Sequence, residues 1–275
     1  MSKQKHRAFL KWAGGKYSLT EQINLRLPPG KRLIEPFVGA CSVFLNSDFD
    51  EYLLNDINAD LIAMYNIIKR KPKQFIEDAK HYFQPQYNDE ATYYKIREQF
   101  NLCDDAYQRS LMFLYMNRHG YNGLCRYNQS GGFNVPFGRY KKPYFPEKEL
   151  LFFAEKAKKA TFVCKPYQKL FQYLRDDDVL YCDPPYVPLS KSASFTGYAK
   201  EGFSLDDQAN LARLARESKC AVLLSNHDTI LTQALYHGAI CDKIQVSRTI
   251  SSNTKNREPV GEVFALFSAI TDNKK

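Results

Sequence analysis

Val179-Leu180-Tyr181-Cys182 runs directly into Asp183-Pro184-Pro185-Tyr186. The first four residues are a short apolar run, which predicts a buried strand. Proline cannot donate to a sheet ladder, so the strand must stop at the Asp. Each proline fixes its own φ, and Pro184 also pushes Asp183 away from helical geometry. The pattern predicts a stiff rim presenting one carboxylate, one or two outward carbonyls and a flat ring.

Such a rim suits a particular chemical problem. The exocyclic amine of a nucleobase is a poor nucleophile, because its lone pair is delocalised into the ring. A carboxylate and a carbonyl accepting both amine hydrogens would draw the nitrogen towards tetrahedral geometry. An aromatic face would hold a base that has left the stack. A strand ending in an Asp-Pro turn with a surface Tyr would account for a lone Asp-Pro, but not for all four residues together.

Further strands follow at Thr161-Phe162-Val163-Cys164, Ala221-Val222-Leu223-Leu224, Ile244-Gln245-Val246 and Val263-Phe264-Ala265-Leu266. Helices are expected at Tyr17 to Leu27, Glu147 to Lys158 and Tyr167 to Leu174. Ser204-Leu205-Asp206-Asp207 carries a helix N-cap with early acids. Nearer the N-terminus, Arg32-Leu33-Ile34-Glu35-Pro36-Phe37-Val38-Gly39-Ala40 reads as a strand entering a tight turn. A short helix from Ser42 to Asn46 and a second strand, Tyr52 to Asp56, come next. In strand-turn-helix-strand units a Gly permits close ligand approach, and the later acid hydrogen-bonds ribose hydroxyls. Gly39 and Asp56 occupy those two places, though ordinary α/β packing explains them equally well. The loop Trp12-Ala13-Gly14-Gly15-Lys16 is either a ligand loop or an N-terminal arm packing its Trp.

Residues 59–118 have helical periodicity punctuated by Pro72 and Pro85, with no alternating strands. This predicts an all-helical insertion, its aromatic stripes serving as core. Two stretches then flank Gln129-Ser130-Gly131-Gly132: Gly120 to Asn128 and Phe133 to Tyr140. They predict a β-hairpin, which fits the major groove of a duplex. From Ala106 to Pro146 there is no Asp or Glu, while Arg109, Arg118, Arg126, Arg139, Lys141 and Lys142 share the interval with Tyr121, Tyr127, Phe133, Phe137, Tyr140, Tyr144 and Phe145. A basic, aromatic-rich segment of this kind is expected to meet nucleic acid.

Composition sets the outer limits. A chain of 275 residues with 44% hydrophobic content can bury a sizeable core, and its net charge of +9 favours a polyanionic partner. No run of 18 apolar residues suggests a membrane span. The start, Met1-Ser2-Lys3-Gln4-Lys5-His6-Arg7, lacks an apolar signal core, so a cytoplasmic protein is expected. Seven scattered cysteines form no CxxC pair, which argues against zinc and against a disulfide scaffold.

Taken together, the Trp12-Ala13-Gly14-Gly15-Lys16 loop, the Glu35-Pro36-Phe37-Val38-Gly39-Ala40 turn, the basic hairpin and Asp183-Pro184-Pro185-Tyr186 resemble the Dam-type DNA adenine methyltransferases, in that family's order and over nearly the whole chain. The resemblance implies a Rossmann-like α/β methyltransferase sheet, with a catalytic domain from 1–58 and 147–275. A target-recognition domain would occupy 59–146, its hairpin at about 120–140. It implies S-adenosylmethionine as methyl donor, no metal, and the adenine of GATC in double-stranded DNA as acceptor, handled by a monomer. By motif match, Trp12, Lys16, Phe37, Gly39, Asp56 and Asp183 would line the cofactor pocket, with Tyr167 a further candidate. Asp183, Pro184 and Tyr186 would grip a flipped adenine. Lys11, Leu124, Arg126, Pro136, Arg139 and Tyr140 would contact DNA, with Tyr121 and Asn122 handling the gap left in the duplex. Cys41 replaces a glycine common in the family's cofactor turn and is expected to bear on cofactor affinity.

The implied reaction is direct in-line attack by the amine on a sulfonium methyl. Cys182 invites a cysteine-nucleophile alternative, but a strand-interior thiol facing away from the rim is the expectation. A methyltransferase acting on cytosine amine or RNA, and a DNA-binding regulator with a dead site, remain rival readings.

Overall fold

The computed structural model describes residues 4–187, 202–246 and 260–270. Two stretches that the sequence marks as loops, 188–202 (rich in Ser, Gly and Ala) and 247–261, lie outside the described residues except for Gly202, Val260 and Gly261. The chain divides into two compact units, one formed by 1–24, 38–48 and 52–164, the other by 25–37, 49–51 and 165–275.

The second unit holds five strands of the sheet. Its strands are β1 (Arg32–Glu35), β4 (Asp178–Cys182), β5 (Ala221–His227), β6 (Ile240–Val246) and β7 (Val260–Phe267), in the order β1-β4-β5-β7-β6. β1, β4 and β5 run parallel, and β7 lies antiparallel between β5 and β6. Every residue of β4 is buried. That is the near-continuous apolar run of a parallel strand covered on both faces. Its one charged residue, Asp178, is held by Arg32 through a two-pronged pair at 2.8 and 2.6 Å. The helix Leu205–Arg216 begins with a reciprocal capping box between Ser204 and Asp207, as the sequence pattern predicts. The helix expected at Tyr167 to Leu174 forms as a 3₁₀ helix, Tyr167–Tyr173.

The first unit is mainly helical. Two short parallel strands, β2 (Glu51–Asn55, from Tyr52 on) and β3 (Ala160–Val163), pair from Tyr52↔Ala160 to Asn55↔Val163. After two short helices, α1 (Thr20–Arg26) and α2 (Ser42–Asn46), the helices expected in the insertion form as α3 (Ala59–Arg70), α4 (Pro72–His81), α5 (Glu90–Leu102) and α6 (Ala106–His119). Side chains of Asn58, Asp89 and Asp105 cap three of them. The aromatic stripes are core: Tyr65, Phe75, Tyr93, Phe100, Phe113 and Tyr115 are all fully buried.

The expected two-stranded ribbon at 120–140 forms only in outline. The chain doubles back with antiparallel bridges at Gly120↔Phe137 and Tyr127↔Phe133, outside any continuous strand. Left-handed backbone at Asn122 (φ 52°), Gly123 (φ 62°) and Arg139 (φ 50°) breaks the ladder. The segment's arginines also divide by role. Arg109 is tied to Asp60 by two contacts of 2.9 Å, and Arg118 is buried, donating to Tyr144 O at 3.0 Å. Two of the charges counted toward a nucleic-acid surface therefore serve the interior.

Candidate functional site

Parallel register builds the Asp-Pro-Pro-Tyr rim. Cys182 of β4 pairs with Leu224 of β5, so the next residues along, Asp183 and Ser225, fall side by side. Ser225 Oγ donates to Asp183 Oδ1 at 3.0 Å, and Tyr181 Oη lies 2.9 Å from the same hydroxyl. The carboxylate is part-exposed, whereas Cys182 is fully buried. Burial pushes that thiol far above its usual range, which removes it as a nucleophile.

Beyond the Asp, the rim is bolted to its neighbours. Gln208 Nε2, on the capped helix, donates to Pro185 O at 2.7 Å. Asn226, buried at the end of β5, accepts from Val187 N at 3.0 Å and donates to Gln208 Oε1 at 3.1 Å. Tyr186 donates its hydroxyl to Glu262 and sets its ring edge-on to His227, centroids 4.8 Å apart. The β5–β7 register supplies both partners, since His227 lies opposite Glu262. Burial raises the Tyr186 phenol well above its ordinary range, so it acts as a neutral ring and donor. Phe37 stands nearer β1, packed with Tyr167 and Phe203 at centroid distances of 5.3 and 5.4 Å.

In the first unit the glycine turn takes shape around Gly39 (φ 45°). A Cβ there would come within 2.9 Å of Trp12 Nε1, so only glycine lets the indole lie against the backbone. Gly39 N–H donates to Asp56 Oδ2 and Asn58 N–H to Asp56 Oδ1, both at 3.0 Å. Burial raises the Asp56 carboxyl above the usual carboxylate range, and these N–H groups oppose the shift. Tyr65 Oη donates to Gly39 O at 2.6 Å and fixes the turn from α3. Cys41 adopts left-handed backbone (φ 65°) with its side chain fully buried and hydrogen-bonded with Tyr65. Lys16 folds back on its own loop, donating to Gly14 O at 3.0 Å.

The DNA-contact candidates are also in this unit. Lys11 places its ammonium 3.6 Å above the Tyr140 ring, and Tyr140 Oη accepts from Asn122 N at 2.9 Å. Tyr121 N donates to Pro136 O at 2.8 Å, and Leu124 N to Tyr121 O at 3.1 Å. Tyr121, Asn122, Arg126 and Pro136 are exposed. Arg126 rests on Asn134, through Nε to Oδ1 at 2.7 Å, and Arg139 forms an exposed pair with Glu90. Among the described residues no group of three or more His, Cys, Asp or Glu could hold a metal, and no helix is long and apolar enough to cross a membrane.

With a held carboxylate at the end of a parallel strand and a glycine turn beneath an indole, the comparisons with known proteins meet a defined chemistry. The profile of the D12 class N6 adenine-specific DNA methyltransferases matches residues 12–250. The chain belongs to that family. Its sheet, with the antiparallel β7 between β5 and β6, is the Rossmann-like methyltransferase sheet the sequence implies. Relatives named DNA adenine methylase are 58% identical over 269 residues in Vibrio cholerae, 54% over 268 in Serratia marcescens and 53% over 267 in Escherichia coli K12. Each alignment covers 96% of this chain, and 97%, 99% and 96% of the respective relative. Among solved structures, a putative RNA methyltransferase from Pyrococcus horikoshii aligns over 98% of this methyltransferase and 94% of that chain, at a TM-score of 0.41 and 8% identity.

Sequence reading found the rim and missed what holds it. Ser225, Asn226 and Glu262 lie on strands beyond a long stretch of chain, and only strand register brings them to Asp183 and Tyr186. Gln208 carried a usable signal, because it follows the Ser204 capping box on a helix expected to pack against the sheet.

Proposed function

We propose that the methyltransferase moves a methyl group from S-adenosylmethionine to the exocyclic amine of adenine in GATC of double-stranded DNA, taking the base out of the stack. The observation that carries this reading is the Asp183 carboxylate, part-exposed at the end of β4 and oriented by Ser225. Asp183 and the Pro184 carbonyl would accept the two amine hydrogens, concentrating electron density on the nitrogen. The Pro185 carbonyl is already engaged by Gln208, which leaves Pro184 as the rim's acceptor for the substrate. Tyr186 would lie against the base, its hydroxyl held by Glu262. The rim's rigidity matters because a group aimed before reaction needs no reorganisation during it.

S-adenosylmethionine, when bound, supplies an electrophilic methyl on a positive sulfur. The residues proposed to hold it are Trp12, Lys16, Phe37, Gly39, Asp56 and Asp183, with Tyr167 as a further contact. The donor set fits such a ligand. Gly39 keeps the turn open beneath Trp12, and an ionised carboxylate accepts about four hydrogen bonds, so Asp56 retains capacity for a ribose hydroxyl beyond the N–H groups of Gly39, Ile57 and Asn58.

On this reading residues 59–146 form the target-recognition segment, and 1–58 with 147–275 the catalytic one. Lys11, Leu124, Arg126, Pro136, Arg139 and Tyr140 contact DNA, and Tyr121 and Asn122 occupy the gap left by the flipped base. The protein would work as a cytoplasmic monomer without a metal. Labelled methyl transfer to defined duplexes, followed by digestion to nucleosides, tests the assignment. Label in N6-methyl-2′-deoxyadenosine from GATC duplexes alone is expected. Label in cytosine, or preferential labelling of RNA, would overturn it.

A further inference from the structure

Asn117, in the last turn of α6, is 2% exposed and faces a backbone segment far away in sequence. Lys11 N–H donates to Asn117 Oδ1 at 2.9 Å, and Asn117 Nδ2 donates back to Lys11 O at 2.8 Å. This is a two-point clamp, equivalent to one rung of a sheet supplied by a side chain. The same Nδ2 lies 3.4 Å from Gly123 O, in the loop that carries Asn122 and Leu124. Gly123 itself makes room for the lysine stem: a Cβ there would sit 2.1 Å from Lys11 Cβ and 2.9 Å from Cδ. The ammonium rests over Tyr140 and donates to Arg118 O at 3.4 Å. Backbone, stem and head of Lys11 are thus each fixed by a different group.

We propose that Asn117 is a positioning residue for sequence discrimination, holding Lys11 so that its ammonium meets one base pair of the target. The inference rests on the reading of Lys11 as a base contact and adds the residue that makes that contact selective. A lysine on a free four-carbon stem is a mobile point charge that serves any phosphate or acceptor within reach. Selectivity among base edges needs the donor at a defined place. The exposed Arg126 and the clamped Lys11 solve that problem differently: Arg126 leans on a neighbour in its own loop, whereas Lys11 depends on α6.

The alternative is that Asn117 only ties the N-terminal arm down for stability. Discrimination separates the two. We would measure methyl transfer (kcat/KM) on the GATC duplex and on duplexes with each non-target base pair changed singly. The proteins are wild type, Lys11→Ala, Asn117→Ala and the double variant. Asn117→Ala is expected to lose about tenfold of discrimination at the one base pair that Lys11→Ala also relaxes. In the Lys11→Ala background the same substitution should change discrimination by less than about threefold, because residues acting through one contact are not additive. Uniform loss at every position, or additive effects, would overturn the proposal. Lys11→Ala relaxing one position while Asn117→Ala spares it would overturn the proposal alone. Lys11→Ala relaxing none would remove the reading beneath it, and the proposal too. Should Asn117→Ala lack the wild-type circular dichroism spectrum, Asn117→Asp takes its place; it keeps the acceptor for Lys11 N–H and loses the donor to Lys11 O, and the same outcomes apply.

Discussion

Ser225 Oγ donates to Asp183 Oδ1 at 3.0 Å, across the gap between two parallel strands whose register sets them side by side. A hydrogen bond to an ionised acceptor is worth about 1.5–3 kcal/mol. If that orientation is felt in the transition state, Ser225→Ala lowers kcat by roughly 10- to 100-fold. KM for DNA should stay within about threefold, since Ser225 touches the carboxylate rather than the duplex. Steady-state kinetics on a GATC duplex checks this. An unchanged kcat would show that the serine orients nothing.

Tyr186 separates its ring from its hydroxyl. Tyr186→Phe keeps the stacking face and drops only the hydrogen bond to Glu262. Tyr186→Ala removes the face, and base–aromatic stacking is worth about 1–3 kcal/mol. The Phe variant should therefore retain near wild-type affinity for the methylatable duplex. The Ala variant should lose about tenfold or more by fluorescence titration. Equal losses in both would assign the role to the hydroxyl.

Arg109 and Arg126 lie in the same acid-free segment and are expected to behave oppositely. Arg109 is paired with Asp60, which also accepts from Tyr127 Oη at 2.7 Å. Removing one partner of this part-buried, charge-assisted pair costs about 1.5–3 kcal/mol, so Arg109→Ala should lower the urea midpoint. The salt dependence of its DNA binding should stay unchanged. Arg126→Ala should leave stability alone and relax discrimination at one guanine by about 1–3 kcal/mol. Uniform weakening on all sequences would instead mark Arg126 as a phosphate contact.

His119 sets an acid limit. It is 1% exposed, donates Nδ1–H to Tyr115 O at 3.0 Å, and burial holds its pKa down to about 4. Between that value and the ordinary 6.5, the unfolded chain binds a proton that the folded chain refuses. Stability therefore falls as pH drops from 6.5 towards 4, by about 3 kcal/mol from this group. Urea unfolding of wild type and His119→Gln from pH 4 to 7 should show the wild type losing more on the acid side. Parallel pH profiles would contradict the assignment.

How much the sequence disclosed follows from what is local. The rim was legible because an apolar strand, an acid and two prolines are neighbours in the chain, and each constrains the next. The Gly39 turn and Asp56 were legible for the same reason, although Cys41 hid its consequence: only the fold shows the thiol turned inward to Tyr65. Charge counting failed where pairing is long-range. Arg109 finds Asp60 on another helix, and Arg118 is buried against backbone carbonyls. Two aromatics of the same basic segment likewise went inward. Phe133 packs on Phe100 and Phe113, and Phe137 on Tyr93. The hairpin signal was right about the reversal and wrong about the ladder, because three left-handed residues interrupt it. Nothing near Asp183 in sequence announces Ser225 or Glu262.

The most direct measurement is transfer of labelled methyl from S-adenosylmethionine to a GATC duplex by wild type and by Asp183→Ala, with DNA binding followed in parallel. The expected result is label in adenine with wild type, and at least a thousandfold loss in the variant if the carboxylate supplies about 4 kcal/mol or more, with DNA affinity retained. Methyl transfer that survives in Asp183→Ala would contradict the account at its centre.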